Sequence, residues 1–237
     1  MYKILKVDIT FILVKPKVPE NIGASARALK TMGFSKLCLV DPCDHKSVKA
    51  YQLAHGSHEI LDSAEVHESL QAAVNDHDLV IGTTTRKRIS RSEYINISDL
   101  KSFLHSREDE HRNIALVFGS EESGLSNSEI ELCDLVSTIS MAEAYPSLNL
   151  SQAVMLYAFT LAEIVNEEKK NISAPDGPGS LKSLKTKIDH LLSDTDIENN
   201  KALKGRIMER ISLASDKDIR LMHSVLNTLF KKYVKDK

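Results

Sequence analysis

The stretch Ile9-Thr-Phe-Ile-Leu-Val14 is a near-continuous apolar run interrupted only by Thr10, and a helical pattern follows it over residues 22–32. That pattern stops at Gly33, a residue type common just beyond the end of a helix. A second short apolar run occupies residues 36–40. Apolar runs of this length are typical of strands that are buried on both faces of a parallel sheet. The first forty residues therefore predict a strand, a helix and a second, parallel strand.

The same alternation continues along the chain. Further strand-like runs lie at residues 78–82, 114–118 and 135–139, and helical patterns lie at residues 63–75 and 126–132. Alternating strands and helices predict an α/β fold, in which helices cover both faces of a mostly parallel sheet.

The pattern changes after Leu150. Residues 152–165 form an apolar helical run with little polar face, which predicts a central packing helix or a subunit contact. Residues 173–180 are rich in proline and glycine and read as a linker. The remainder shows two or three helical patterns and almost no strand signal. We expect a main domain over residues 1–170, a linker over 171–180 and a small helical C-terminal domain over 181–237.

Composition narrows the class of protein. The chain has 237 residues, of which 42% are hydrophobic, and no apolar run approaches the roughly 20 residues of a membrane span. The N-terminus lacks the pattern of a signal peptide. Three cysteines fit neither a disulfide framework nor a zinc site, and we expect Cys38 and Cys133 to pack as small apolar residues. These features predict a cytoplasmic protein without a membrane partner.

Charge is unevenly distributed. The net charge is −2, yet residues 201–237 carry ten Lys and Arg against four Asp and Glu. A second basic cluster comprises Arg86, Lys87, Arg88 and Arg91. Each cluster alone is typical of a solvent-exposed face. Two such clusters on a slightly acidic protein favour a localised surface that binds the phosphate backbone of a nucleic acid.

Three stretches read as backbone-rich pockets at strand ends, where open α/β sheets build their binding sites. The first motif is Asn21-Ile-Gly-Ala-Ser-Ala-Arg27, the second is Phe118-Gly-Ser-Glu-Glu-Ser-Gly124, and the third is Tyr145-Pro-Ser-Leu-Asn-Leu-Ser151. In the first, Gly23 permits close approach of another backbone. Asn21 and Arg27 together favour a phosphate or ribose contact over a simple surface ion pair.

The second and third motifs lack the sequence signatures of several common enzyme classes. The second lacks the Gly-Lys-Ser/Thr of a phosphate-binding loop and the GxGxxG of a dinucleotide fold. Its carboxylates, Glu121 and Glu122, lack companions with ligand spacing, so we expect no metal; they are suited to hold a loop or to bind a cationic group. The third lacks a Gly-x-Ser-x-Gly elbow, and its Ser147, Asn149 or Ser151 is suited to cap the following helix.

In this order and spacing the motifs resemble the SpoU (TrmH) family of RNA ribose 2′-O-methyltransferases in the SPOUT superfamily, most closely its TrmJ type. The resemblance covers roughly residues 9–165. It also includes Leu39-Val-Asp-Pro42 and Gly82-Thr-Thr-Thr-Arg86, and it is most specific at Ser147-Leu-Asn-Leu-Ser-Gln-Ala-Val154. The tail, with Ala202-Leu-Lys-Gly-Arg206, is more loosely similar to the C-terminal domain of the TrmJ type.

The resemblance implies a homodimer with a C-terminal trefoil knot that binds S-adenosylmethionine and methylates a ribose 2′-OH of tRNA, at position 32 of the anticodon loop. Arg27 would activate the ribose hydroxyl, with Asn21, Ser147 and Asn149 as catalytic companions. The charge of the C-terminal tail, rather than the resemblance, makes Lys204 and Arg206 candidates for RNA binding; the alternative is that the C-terminal helices only complete the dimer. The cofactor would contact Thr83, Thr84, Thr85, Gly119, Ile139, Pro146, Ser147 and Leu148.

One departure bears on the target. Ser120 occupies a position where similar proteins of the family carry arginine, which leaves open whether tRNA or rRNA is the substrate. A non-catalytic, knotted RNA-binding protein is the alternative from another class. Methylation of a base is disfavoured by the pairing of Asn21 with Arg27.

Overall fold

The computed structural model describes residues 7–85, 93–106, 113–143, 147–168, 181–193 and 195–233. Within these ranges seven strands form one sheet in which every pairing is parallel. In chain order they are β1 (Asp8–Val14), β2 (Leu37–Val40), β3 (Glu65–His67), β4 (Leu79–Thr83), β5 (Ile95–Asn96), β6 (Asn113–Phe118) and β7 (Leu135–Thr138). The spatial order of the strands is β3-β2-β1-β6-β4-β7-β5. The predicted parallel sheet is confirmed.

Helices cover both faces of this sheet, as predicted. The helices are α1 (Pro19–Met32), α2 (Val48–Leu53), α3 (His58–Asp62), α4 (Leu70–Val74), α5 (Ile97–His105), α6 (Asn127–Glu131), α7 (Leu150–Glu168), α8 (Leu181–Ser193), α9 (Lys201–Ser212) and α10 (Asp216–Tyr233). One face packs Phe11, Leu13 and Leu116 against apolar residues of α1, α5 and α7. The opposite face packs Ile12 and Val117 against residues of α4 and α6.

Helix α1 has clear start and stop signals. Pro19 stands at the first helical position, where its missing N–H costs nothing. Gly33 ends the helix in the left-handed conformation, and its N–H donates to the carbonyls of Leu29 and Lys30. The predicted close approach at Gly23 is to α2, because an added Cβ would lie 2.0 Å from the carbonyl oxygen of Ala50. Helices α1 and α2 are therefore in backbone contact.

The helix predicted over residues 63–75 is wrong in its first half. Glu65–His67 is a strand, paired with β2 so that Val66 stands beside Leu39. The helix α4 begins only at Leu70, after Ser69 caps it by accepting from the N–H of Ala72. The prediction failed because three residues are too few to show whether apolar side chains repeat every two or every 3.6 positions.

The predicted behaviour of two cysteines is confirmed. Cys38 and Cys133 are buried in the apolar cluster on the face of the sheet that α4 and α6 cover. Burial, with a smaller contribution from the charge of Glu65, raises the pKa of the Cys38 thiol to about 12. Both residues serve as small apolar side chains.

The C-terminal helices α8, α9 and α10 pack around their own apolar cluster. Two ion pairs join them to the sheet: Lys185 contacts Asp134, and Arg210 lies 2.6 Å from Glu93. The proposed linker, residues 171–180, lies outside the described residues, so the division into domains stays a prediction. In the described part of the chain, no helix has the length and apolarity needed to cross a membrane.

Candidate active site

A cavity lies at the carboxyl edge of the sheet, where β4, β6 and β7 end side by side. Its walls are the residues after β4, the loop after β6, and the start of α7. Ile139, Leu148 and Leu150 supply apolar surface, while threonines and serines supply hydroxyls. The described lining residues are Thr83, Thr84, Thr85, Phe118, Gly119, Ser120, Glu121, Glu122, Ser123, Gly124, Ile139, Ser147, Leu148, Leu150, Ala153 and Tyr157.

The three motifs meet in one hydrogen-bonded chain of side chains beside this cavity. The Nδ2 of Asn149 donates to the Oδ1 of Asn21 at 2.9 Å. The Nδ2 of Asn21 donates in turn to the Oε1 of Glu121 at 2.8 Å. Asn21 is 8% exposed, so water competes little for these bonds. Residues that are 100 and 128 positions apart in sequence thus hold one another in place.

Glu121 fixes the entry to α1. Its Oε2 accepts from the backbone N–H of Lys17 at 2.9 Å, and its Oε1 accepts from that of Val18 at 3.3 Å. Hydrogen bonds to a charged acceptor are stronger than bonds between neutral groups. The expectation that a carboxylate of the second motif holds a loop is confirmed, and that loop is the one before the first motif.

Asn149 also caps α7. Its Oδ1 accepts from the N–H of Ser151 at 2.8 Å, and its backbone carbonyl accepts from the N–H of Ala153 at 3.0 Å. The side chain of Gln152 accepts from the backbone N–H of Asn149 at 3.2 Å, which completes a reciprocal cap. The cap and the link to Asn21 use opposite ends of one amide. The start of α7 is therefore fixed relative to α1.

The second motif turns tightly along the cavity wall. The N–H of Gly124 donates to the carbonyl of Ser120 at 2.9 Å, and the hydroxyls of Ser120 and Ser123 lie 3.0 Å apart. A Cβ on Gly119 would lie 2.1 Å from the nitrogen of Leu125, so only glycine fits there. The turn keeps its backbone beside the cavity.

Tyr157 forms the floor. It is 1% exposed, its ring meets Phe118 edge to face at 5.5 Å, and its hydroxyl donates to the Oγ of Ser137 at 2.9 Å. Ser137 donates onward to the carbonyl of Ile95 at 3.0 Å. Burial raises the pKa of the Tyr157 phenol above its ordinary value, although the bond to Ser137 opposes the shift. At neutral pH the phenol is therefore a donor that ties α7 to β7 and β5.

The structure brings together most residues of the expected cofactor site. Seven line the cavity, whereas Pro146 lies outside the described residues. Asn21 and Asn149 meet beside the cavity through their side chains. The seven lining residues are Thr83, Thr84, Thr85, Gly119, Ile139, Ser147 and Leu148.

Arg27 lies apart from this network. It is exposed on α1 and lies six positions after Asn21, or about 9 Å along the helix axis. Within the described part of the chain, no hydrogen bond or ion pair engages its guanidinium group, and it does not line the cavity. Its predicted role stays a prediction.

The residues expected to bind RNA differ in whether their side chains already have partners. Lys204 lies 2.8 Å from Asp189, so its ammonium holds α9 on α8. Arg206 is exposed, and no partner for its side chain occurs among the residues described. The first basic cluster, Arg86, Lys87, Arg88 and Arg91, lies outside the described residues.

Two residues of the site were missed by sequence reasoning. Tyr157 lies in an apolar helical run, where nothing distinguishes a core residue from the floor of a cavity. Ser137 follows Val136 within a buried strand and carries no signal of its own. Their roles are visible only once α7, β7 and β5 are placed together.

The comparisons with known proteins agree with this fold. The model of the SpoU rRNA Methylase family matches residues 8–159, and that of the C-terminal domain of the tRNA/rRNA methyltransferase LasT matches residues 178–233. The first match spans well over half of the chain, so the protein belongs to the SpoU rRNA methylase family.

Three similar proteins show how far the likeness extends. The Escherichia coli K12 protein named as an uncharacterized tRNA/rRNA methyltransferase, LasT, is 36% identical over 96% of this chain and 99% of its own. The tRNA (cytidine-2'-O-)-methyltransferase TrmJ of Methanocaldococcus jannaschii is 36% identical over 70% of each chain. The crystal structure of TrmJ from Z. mobilis ZM4 matches with a TM-score of 0.63 at 26% identity, over 93% of this chain and 98% of that one. The likeness to LasT and to the Z. mobilis protein includes the C-terminal helices.

Proposed function

We propose that this protein is an S-adenosylmethionine-dependent methyltransferase that modifies a ribose 2′-OH of tRNA, at the cytidine or uridine of position 32. One observation carries the proposal. Asn149, Asn21 and Glu121 join the three motifs beside a single cavity in a chain of the SpoU family. The name of the M. jannaschii relative, a tRNA cytidine 2′-O-methyltransferase, supports the choice of reaction and of RNA.

The chemistry of the cavity fits the cofactor. Ile139, Leu148 and Leu150 offer the apolar surface that an adenine ring needs, and the hydroxyls of Thr84 and Ser147 can bond its sugar or amino-acid portion. We propose that Thr83, Thr85, Gly119 and Pro146 complete this site. When bound, S-adenosylmethionine supplies a methyl group on a positively charged sulfur, which is already a strong electrophile.

The residues of the protein then have mainly to orient the ribose and to stabilise charge. The developing negative charge on the 2′ oxygen, or a neighbouring phosphate, suits the guanidinium group of Arg27, which is free within the described part of the chain. Asn21 and Asn149 are held rigidly by their mutual bond, and rigid positioning is worth several orders of magnitude in rate. We assign Ser147, at the start of the third motif, to the same catalytic group.

We also propose that the protein is a cytoplasmic homodimer with a trefoil knot. Phe159 and Leu156 of α7 are 67% and 39% exposed, and apolar side chains of this size on one helix are typical of an interface. The knot is supported by the strand order, in which β6 lies between β1 and β4 and β7 lies between β4 and β5, while α7 returns to pack on α1. The buried free cysteines suit a reducing compartment.

RNA contacts are proposed for two regions. The cluster Arg86, Lys87, Arg88 and Arg91 comes directly after Thr83, Thr84 and Thr85 in the sequence, which line the cavity, and it supplies four positive charges. In the C-terminal helices, Arg206 is available for a phosphate, whereas Lys204 would have to exchange Asp189 for one. Arg206 is therefore the stronger candidate.

The position of methylation is tested with synthetic tRNA. We would compare a tRNA that carries a ribose at position 32 with one that carries 2′-deoxyribose at that nucleotide only. The proposal predicts one methyl group per molecule in the first and none in the second. Equal incorporation into both would move the target to another nucleotide, and methylation of ribosomal RNA alone would replace tRNA as the substrate.

A further inference from the structure

The described wall of the cavity contains one carboxylate that is not already engaged. Glu121 also lines the cavity, but its two oxygens accept from Lys17, Val18 and Asn21. Glu122 is exposed, and among the described residues no hydrogen bond or ion pair occupies its side chain. The other described lining residues are uncharged. Glu122 is therefore the free charge of this part of the cavity.

The backbone that carries Glu122 is well fixed. It lies in the turn that the Ser120 carbonyl and the Gly124 N–H close at 2.9 Å. The turn is further braced because Ser120 and Gly124 form an antiparallel bridge and Ser123 bonds Ser120. A folded turn of this kind holds the carboxylate at the cavity wall. Its charge therefore acts on any ligand that occupies the cavity.

The cofactor of the proposed function changes its charge during the reaction. Methyl transfer forms a bond from carbon to the ribose 2′ oxygen and breaks the carbon–sulfur bond, whose electron pair stays on sulfur. The hydroxyl proton leaves to solvent, and the sulfonium becomes a neutral thioether. The product S-adenosylhomocysteine thus carries one positive charge fewer than S-adenosylmethionine.

We propose that Glu122 makes the cavity selective for the charge of the cofactor, so that it favours the sulfonium form over the demethylated product. This inference rests on the proposed function, because it assumes that S-adenosylmethionine occupies this cavity. A carboxylate near a cation stabilises it, while the neutral thioether gains nothing from the same charge. Glu122 would therefore help the enzyme to take up fresh cofactor and to release spent cofactor.

Solvent screening limits how strongly Glu122 can favour the charged cofactor. Because Glu122 is exposed, water and salt screen its charge, and we expect a preference of about three- to tenfold. The Glu122→Gln variant keeps the size and shape of the side chain and removes only the charge. Glu122→Asp keeps the charge on a shorter side chain.

The experiment measures the dissociation constants of S-adenosylmethionine and S-adenosylhomocysteine by calorimetry. In Glu122→Gln the ratio of the two constants should shift about three- to tenfold against S-adenosylmethionine, and Glu122→Asp should retain most of the preference. Raising the salt from about 0.05 M to about 0.5 M should reduce the preference in the wild type and leave Glu122→Gln unchanged. The matched control is Glu68→Gln, an exposed carboxylate just beyond the marginal strand β3, which should leave the ratio unaltered.

A ratio in Glu122→Gln within twofold of the wild type would overturn the inference while leaving the proposed function intact. An equal shift in Glu68→Gln would also overturn it, because the effect would then be that of net charge. Failure of the wild type to bind either compound would contradict the proposed function and the inference together. Urea unfolding of each variant confirms that the compared proteins are folded.

Discussion

The side-chain amide of Asn149 donates to the side-chain oxygen of Asn21 across 2.9 Å, and this bond joins the start of α7 to the start of α1. Asn21 extends the hydrogen-bonded chain, because its own amide nitrogen donates to Glu121. The direction is fixed at both ends: Glu121 can only accept when ionised, and the oxygen of Asn149 is occupied by Ser151. Reversing either amide would set two donors or two acceptors against each other.

The first prediction separates the two tasks of Asn149. In Asn149→Asp the carboxylate still caps α7, since Asp and Asn are equivalent caps, but it can no longer donate to Asn21. We expect methyl transfer to fall about ten- to a hundredfold, with a small loss of stability. In Asn149→Ala the cap is lost too, and the free energy of unfolding should fall by a further amount of about 1–2 kcal/mol. Steady-state methyl transfer and urea unfolding of both variants measure this. Full activity in Asn149→Asp would show that the link to Asn21 is dispensable.

The second prediction concerns two adjacent carboxylates. Glu121→Gln replaces an acceptor of three hydrogen bonds by an amide whose NH₂ must face a backbone N–H, so it should lower the free energy of unfolding by about 1–3 kcal/mol. Glu122→Gln changes the next residue in the same way but disturbs no bond among the described residues, and its effect should stay within about 0.5 kcal/mol. Urea unfolding at neutral pH measures both. Equal losses in the two variants would contradict the role of Glu121 as the anchor of the loop before α1.

A third prediction uses two helical glycines of opposite environment. Gly23→Ala places a methyl group 2.0 Å from the Ala50 carbonyl oxygen, which must force α1 and α2 apart and cost about 1–3 kcal/mol or more. At Gly205 in α9 an added Cβ meets nothing within 4 Å, so Gly205→Ala should stabilise the protein by about 0.5–1 kcal/mol. Thermal unfolding should therefore move in opposite directions for the two variants. A stabilising Gly23→Ala would show that α1 and α2 are not in backbone contact.

A fourth prediction concerns the acid side of the stability profile. Burial alone would raise the pKa of Glu129, but hydrogen bonds from Ser126 and Lys15 outweigh it and hold the pKa below the ordinary value. The folded state thus binds fewer protons than the unfolded state. The resulting stability is present above the ordinary pKa of glutamate and is lost as the pH falls through the lowered pKa.

Glu129→Gln should therefore be less stable than the wild type at pH 7, and the difference should shrink as the pH falls below about 4. Urea unfolding at several pH values measures it. Glu131→Gln, which alters an exposed residue of the same helix, is the control and should show no such trend. A difference for Glu129→Gln that is constant with pH would contradict the assigned cause.

Much of the fold could be predicted because the central strands are buried on both faces. Phe11–Val14 in β1 and Ile114–Phe118 in β6 are unbroken runs of buried apolar residues, and a continuous apolar run is easily recognised. The edge strands β3 and β5 were missed, since they are short and half exposed. Val66 in β3 is 51% exposed, so neither burial nor alternation marks it in the sequence.

The candidate site was predictable in its residues but not in its bonds. Loops at the carboxyl ends of parallel strands must share one edge of the sheet, which placed Asn21, Glu121 and Asn149 near one another. Which amide donates to which oxygen depends on the angle between α1 and α7, and no sequence pattern encodes that angle. The assignment of Arg27 to activate the ribose hydroxyl came from the resemblance, whereas the first motif by itself favoured only a phosphate or ribose contact.

The central claim is methyl transfer to tRNA, and it is tested most directly with labelled S-adenosylmethionine. The purified protein and its Arg27→Ala variant would each be incubated with total tRNA and, separately, with ribosomal RNA, and the products would be digested to nucleosides. We predict label in a 2′-O-methylated nucleoside of tRNA with the wild type and little or none with Arg27→Ala. Absence of label from every RNA, with a folded protein that binds the cofactor, would contradict the account and leave a non-catalytic RNA-binding protein in its place.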